Sequence, residues 1–411
     1  MNKQRWEKWQ LPVIALLLAS ALVLFTQTPL FSWPEGNFSL TELFRSDERI
    51  QSESSAPAMP LQITVTNPYG RYFYDRLTTE DNVYLRYLPL LKDAVSSAGA
   101  ASTITAEQFQ QACQAPGVAV DLLADYGASL LQPLFQLESS NLTPSLRHLV
   151  IVEAADDQTL LLYTADEKGN YRRYTTAAAA ATLEQAADGE GTSSTFFAFE
   201  LTDALYPFSM YAETPDSYPI LSAENPMTED SAEDVAALLD FSSNSHYTES
   251  SGTQVMVDEA NYLYLYTDGS VHYQGSESAG ELFLFSGSTA ADALSAAWRL
   301  AERLDSYAGG SGQLYLQSCE SSEGGFLLNF GYMVQGVPLQ LSRDPFALQV
   351  RTENGVITDF IFHARRYTVT ESDCLILPVM QAVAAIGEKQ HLWLGYADTG
   401  SESVSVLWLA R

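Results

Sequence analysis

At 411 residues, with 46% apolar and 11% aromatic content, the chain has ample material for packed cores, which excludes disorder of the whole. Its length calls for two or three domains rather than one core. The charge is lopsided, 21 Lys+Arg against 51 Asp+Glu for a net −30, and no basic cluster offsets it, so nucleic acid is excluded as a partner.

The chain opens with a basic tip, residues 1–10, carrying Lys3, Arg5 and Lys8 against Glu7. Leu11–Phe31 follows without a charge over 21 residues. At about 1.5 Å per residue it matches a bilayer core of about 30 Å. Trp6, Trp9 and Trp33 bracket it as interfacial anchors, and the basic flank places the tip in the cytoplasm. A cleaved signal peptide is the alternative, but no small-x-small cleavage site follows the apolar run. The expectation is a retained transmembrane helix, 11–31, with the rest of the chain outside the membrane. Ala15 and Ala19 lie four apart and offer a small-residue face for close helix contact. Residues 32–60 read as a juxtamembrane linker.

A first domain, 61–204, begins with the strand Leu61–Thr66. A helix over Val83–Ser97 is expected to bend or split at Pro89, and Thr105 caps a second over Ala106–Cys113. The strand Gly117–Leu122 precedes a meander of Arg147–Glu153, Thr159–Thr164 and Tyr171–Thr175. Ala177–Ala186 is helical by propensity, and Ser194–Leu201 closes as a strand.

Residues 205–230 hold four prolines and read as a junction opening a middle domain, 205–287. The helix Ala232–Phe241 leads to strands Gln254–Val257, Asn261–Thr267 and Ser270–Tyr273, the last two joined at an Asp268-Gly269 turn. Tyr262, Tyr264 and Tyr266 share one strand face, as packing or as a ligand platform.

The third domain, 288–411, starts with a helix carrying a Thr289/Asp292 capping box and a stripe of Leu294, Ala297, Trp298, Ala301 and Leu304, ended by Gly309-Gly310. Strands Gln313–Ser318, Phe326–Val334, Val337–Leu341, Phe346–Thr352 and Val356–His363 follow, with Gly336 and Asn354-Gly355 at turns. A two-residue Asn-Gly loop sets Val350 opposite Asp359. A three-residue loop, Glu353-Asn354-Gly355, gathers Phe346, Leu348 and Val350 opposite Phe362, Phe360 and Thr358, and is preferred because it keeps one face apolar. Leu375–Ile386 is expected as a helix, with Pro378 as an alternative first residue, and strands Leu392–Tyr396 and Val404–Leu409 finish the chain. The fold class is α+β: antiparallel sheets packed with helices, behind one N-terminal membrane helix.

The sequence shows no cofactor loop, no HExxH, no GxSxG and no Cys or His spacing suited to metal. Cys319 could pair with Cys374, but free thiols are expected for these two and Cys113. No catalytic, cofactor or metal residue is nominated, so the expectation is a binding protein and not an enzyme.

The hairpin LYTDGSVHY (265–273) and the run FGYMVQGVPLQL…ALQVRTENGVITDFIFHARRYTV (330–369), behind a single anchor and an acidic α+β body, resemble the YycH/YycI family of bacterial two-component accessory proteins. The likeness covers 254–411 by motif and the first half by order of elements. It is nearer YycH, because a whole domain precedes the part shared with YycI. The resemblance implies a non-enzymatic regulator of the WalK–WalR cell-wall system. As partners it implies a WalK-like sensor histidine kinase and a YycI-like protein. The turn residues Asp268, Gly269, Gly336, Asn354 and Gly355 carry the structural signature.

Overall fold

The computed structural model describes residues 57–410, apart from 136, 138–141, 143–144, 156–157, 189–193, 229–230, 243–244, 277–279 and 386–390. The expected membrane helix 11–31, with Ala15 and Ala19, lies outside the described residues, as do the tip and most of the linker. Among the described residues no helix is long and apolar enough to cross a membrane.

The first sheet is drawn from β1 (Pro60–Asn67), β2 (Gly70–Thr78), β3 (Ala101–Thr103), β4 (Gly117–Gly127), β5 (Ser145–Glu153), β6 (Thr159–Ala165) and β7 (Tyr171–Ala179). It is antiparallel in the order β2-β1-β4-β5-β6-β7-β3. The helices between its strands are α1 (Asn82–Ser96), α2 (Ala106–Gln114), α3 (Ala128–Leu134) and, after β7, α4 (Ala180–Ala187). Strand β5 is apolar at consecutive positions because it is covered on both faces. Leu149 and Ile151 share a core with Tyr84, Leu91 and Val95 of α1, while Val150 and Val152 share another with Phe109 and Cys113 of α2. Thr105 caps α2 as expected: its Oγ1 accepts from Gln108 N at 3.3 Å, and Gln108 Oε1 accepts from Thr105 N at 3.0 Å. Pro89 lies inside α1 without splitting it. The expected alanine helix starts late, because Ala179 is held in the ladder opposite Thr159 and tertiary pairing outweighs propensity there.

A two-stranded ribbon of β8 (Thr195–Phe197) and β9 (Met210–Ala212) comes next. Where a strand to Leu201 was expected, β8 gives way to a 3₁₀ turn at Ala198–Glu200, whose Oε2 accepts from Phe197 N. The second sheet takes β10 (Tyr218–Glu224), β11 (Ser245–Thr248), β12 (Gln254–Asp258), β13 (Asn261–Leu265), β14 (Ser270–Gln274), β15 (Gln313–Ser322), β16 (Gly325–Val334), β17 (Val337–Leu341), β18 (Leu348–Glu353), β19 (Val356–His363), β20 (Arg366–Cys374), β21 (Leu392–Asp398) and β22 (Ser403–Ala410). Its path is β11-β12-β13-β14-β19-β18-β16-β17-β21-β22-β10-β20, with β15 on the other side of β16, and β17–β21 is its parallel pair. Helices α5 (Ser231–Leu238), α6 (Ala290–Ala308) and α7 (Val379–Ala385) accompany it. The last begins beyond Pro378, whose carbonyl accepts from Ala382 N, so proline heads the helix.

The expected boundary at 287/288 runs through this sheet. β14 pairs with β19 and β10 pairs with β20 and β22, so segments 205–287 and 288–411 complete one another's ladders. All five stripe residues of α6 are buried, and they share a core with Leu328, Phe330, Leu348, Val350, Phe360 and Phe362. The capping box forms, Thr289 N donating to Asp292 Oδ2 at 3.0 Å.

The β18–β19 hairpin corrects the preferred register. Asn354 (φ 52) and Gly355 (φ 80) are both left-handed, which makes a two-residue type I′ turn with Glu353 opposite Val356. The apolar face is recovered by a bulge: beyond Thr352/Ile357 the register shifts, and Leu348 and Val350 meet Phe362 and Phe360. Thr358 is the extra residue, and its carbonyl accepts from Gly275 N at 2.8 Å.

On α6, Asp305 accepts from Leu314 N, and burial pushes its carboxyl up to about 7. The folded state therefore holds a proton that the unfolded state releases, and stability falls as pH rises through that window. Asp305→Asn is expected to stabilise the protein by about 1–2 kcal/mol at about pH 8 and to be neutral near pH 4, by urea unfolding at both values.

Candidate interaction cleft

The two sheets belong to one compact unit and are stitched where Tyr126 OH, buried at the end of β4, donates to Leu316 O of β15 at 2.6 Å. Beside that stitch opens a cleft of about 1380 Å³. One wall is β2 (Phe73–Arg76), another the β8–β9 ribbon, and the facing side is Gln317–Ser321 of β15 with Trp393 and Trp408 from β21 and β22. The Gln335-Gly336 turn between β16 and β17 also reaches it. A Cβ on Gly336 (φ +78) would stand 2.7 Å from the Arg76 carbonyl carbon, so a side chain there would part the two sheets.

At its base lies an ionic cluster. Asp121 of β4 and His148 of β5 are cross-strand partners, and Arg147 immediately precedes His148. Arg147 Nε donates to Asp121 Oδ1 at 2.9 Å, and its Nη1 donates to Glu167 Oε1 at 2.7 Å. Its guanidinium lies 4.2 Å from the centroid of the Tyr206 ring. Ser209 Oγ donates to Asp121 Oδ2, which ties the 205–209 segment to the sheet. Burial alone raises the Asp121 carboxyl, but Arg147, His148 and the hydrogen bonds outweigh it and hold it well below the usual range. Burial pushes the His148 imidazole down to about 4, so it is neutral at physiological pH. Every charge here has a partner, and the cluster acts as a clamp between the ribbon and the first sheet.

The sequence-nominated turn residues do not converge. Gly336 lines the cleft and Gly355 packs on Phe285 O at the far hairpin. Asp268 accepts from Ser270 N and pairs with Arg343 at 2.8 Å, while Gly269 (φ +92) lies against Asn225 and Ala364. Asn354 N donates to Gly324 O.

Sequence spacing missed one grouping. Ser270 Oγ is 3.0 Å from His363 Nδ1, and His363 Nε2 is 3.0 Å from Asp344 Oδ2. Ser270 and His363 are directly opposed on β14 and β19, so register alone brings them together. The nitrogens are used in the reverse sense to a serine-hydrolase triad, and the Nε2 contact lacks hydrogen-bond geometry. Tyr262, Tyr264 and Tyr266 form a ladder of near-parallel rings with centroids 6.2 and 6.4 Å apart, on the face that also carries His272, bonded to Asp359 at 2.9 Å. All three cysteines are free, and among the described residues no group of three or more His, Cys, Asp or Glu is set to hold a metal ion.

Two largely antiparallel sheets, each packed with helices and meeting at a cleft, define the class: an α+β chain organised by sheet edges and turns. No family model matches the sequence, and no curated protein matches it. Among solved structures, YycH from Bacillus subtilis superimposes with a TM-score of 0.54 at 12% identity, covering 87% of this chain and 95% of that one. The chain has a YycH-like fold.

Proposed function

We propose that the protein is a membrane-anchored accessory regulator that modulates a WalK-like sensor histidine kinase of a cell-wall two-component system, by binding and not by catalysis. The observation that carries this is the YycH-like fold over nearly the whole length of both chains. The charge-free Leu11–Phe31 span supports a single membrane pass with the N-terminus cytoplasmic and the bulk of the chain extracytoplasmic. A YycI-like protein is the expected companion, and contacts run through both the anchor and the folded body.

A membrane two-hybrid assay between the full-length chain and a WalK-like sensor kinase tests the reading. The wild type should signal, and Ala19→Leu, alone or with Ala15→Leu, should weaken that signal while leaving the folded body intact, because helices in lipid depend on close packing at small residues. No signal from the wild type sinks the function. A signal untouched by the leucines moves the contact to another face. A second reading, an extracytoplasmic binder of wall polymer or peptide, is favoured by the half-exposed tyrosine ladder. Co-sedimentation with purified peptidoglycan that is lost in Tyr262→Ala/Tyr266→Ala would support it.

A further inference from the structure

We propose that the cleft between the sheets takes an extended, basic polypeptide segment of a partner protein, which adds as a strand to the open edge of β15. This rests on the reading of the molecule as a binding protein, but not on the identity of the kinase.

The backbone supplies the first argument. Among the described residues β15 pairs with β16 alone. On its other side the N-terminal half is already engaged: Leu314 N donates to Asp305, and Leu316 O accepts from Tyr126. In an antiparallel ladder alternate residues turn their N–H and C=O outward, and the bulge between Leu316 and Ser318 shifts that alternation by one. Cys319 and Ser321 therefore present their backbone groups on the open side. Gln317–Ser321 line the cleft, and Glu320 and Ser321 are exposed. An unpaired edge of this kind is a template for strand addition, with main-chain hydrogen bonds giving affinity and pockets selecting alternate side chains. Phe73, Phe346, Trp393 and Trp408 line the same space and offer those pockets.

Charge selects the occupant. Of the cleft's cations, Arg147 is neutralised by Asp121 and Glu167, and Arg76 pairs with Asp216. Asp75, Glu213 and Glu320 line the cleft without a cationic partner among the described residues, against Lys168 alone. Asp75 accepts from neutral donors, the side chains of Gln62 and Tyr218 and the backbone N–H of Arg76. The surplus is negative, on a chain of net −30, so a lysine- or arginine-bearing strand is drawn in and an acidic one repelled.

The test is fluorescence anisotropy with the full-length protein in detergent and a labelled peptide of about eight residues, alternating lysine with valine or tyrosine. Saturable binding is expected, with none to the matching peptide bearing glutamate for lysine. N-methylation of alternate peptide nitrogens should weaken binding about tenfold or more, without any change to the protein. Ser321→Pro removes one outward N–H at a position where an edge strand tolerates proline, and should weaken binding by a similar factor at an unchanged unfolding midpoint. Glu213→Lys/Glu320→Lys should weaken it most at low salt. Absence of binding, equal binding of the N-methylated or acidic peptide, or indifference to Ser321→Pro overturns the proposal. Self-association of the chain that Ser321→Pro abolishes also overturns it, because the edge is then occupied by a second copy. No kinase enters the assay, so its failure is distinct from failure of the two-hybrid test.

Discussion

Arg147→Ala should lower the stability of the purified protein by about 3–5 kcal/mol, the typical cost of removing one partner from a buried ion pair. Arg147 and Asp121 are each 5% exposed, so the truncation leaves a carboxylate with the Ser209 hydroxyl and the Leu123 N–H as its remaining close donors. Glu167 and the Tyr206 ring lose the same guanidinium. Asp121→Asn in the same chain should recover part of the loss, because the stranded charge and not the missing contact is the larger cost. The wild type should also be acid-sensitive in two stages. His148 titrates at about 4 when folded and near 6.5 when unfolded, so the unfolded state takes up the proton first and stability declines as pH falls from about 6.5 toward 4. Asp121, held below its ordinary range, adds a further loss below about pH 4. Urea midpoints in this variant that match the wild type at neutral pH would show that the cluster is solvated rather than buried.

Gly355→Val should cost about 2–3 kcal/mol, combining left-handed strain on a β-branched residue with a steric contact. Gly355 has φ +80, and a Cβ there would sit 2.9 Å from Phe285 O. The hairpin cannot easily retreat, because Phe285 N donates to Gly355 O at 2.9 Å and Leu284 bridges Val356. Gly400 is the control: its φ is +87 with nothing within 4 Å of a built Cβ, so Gly400→Val isolates the strain. Equal losses at the two sites, by thermal unfolding, would remove the Phe285 contact from the account.

What could be read in the sequence was what repeats locally. The α6 stripe and its capping box, the β5–β7 meander and the Asp268-Gly269 and Asn354-Gly355 turns each follow from residues within a few positions of one another. β2 and β20 escaped notice because they are sheet edges, where mixed residues such as RYTVTESDC need no strict alternation. β10 escaped because Pro219 argues against an interior strand. The sheet accommodates it at an irregularity: the β10–β20 register shifts between Pro219 and Leu221, and β22 bonds only to Leu221 and Ser222. The register of β18–β19 went astray for a related reason. The demand for an apolar face was read correctly, but a bulge at Thr358 met it where a longer loop had been expected. The cleft itself had no signature, since Asp121, Arg147 and Ser209, or Arg76 and Trp408, converge only through the tertiary fold.

The place of β10 bears on how the chain comes to be made. It lies between β20 and β22, with Leu221 opposite both Val369 and Val404. A growing polypeptide can assemble its first sheet from neighbours in sequence, but β10 must then wait, bare on both edges until β20 is made and on one edge until β22 has emerged. Closing so long a loop is slow, and the waiting strand is open to mispairing and cleavage. A product stopped short of Ser403 leaves that slot unfilled. Loss of residues 403–411 should therefore act as a signal for disposal of the whole body, and a chaperone that shields the 218–224 segment during synthesis should raise the yield of intact protein.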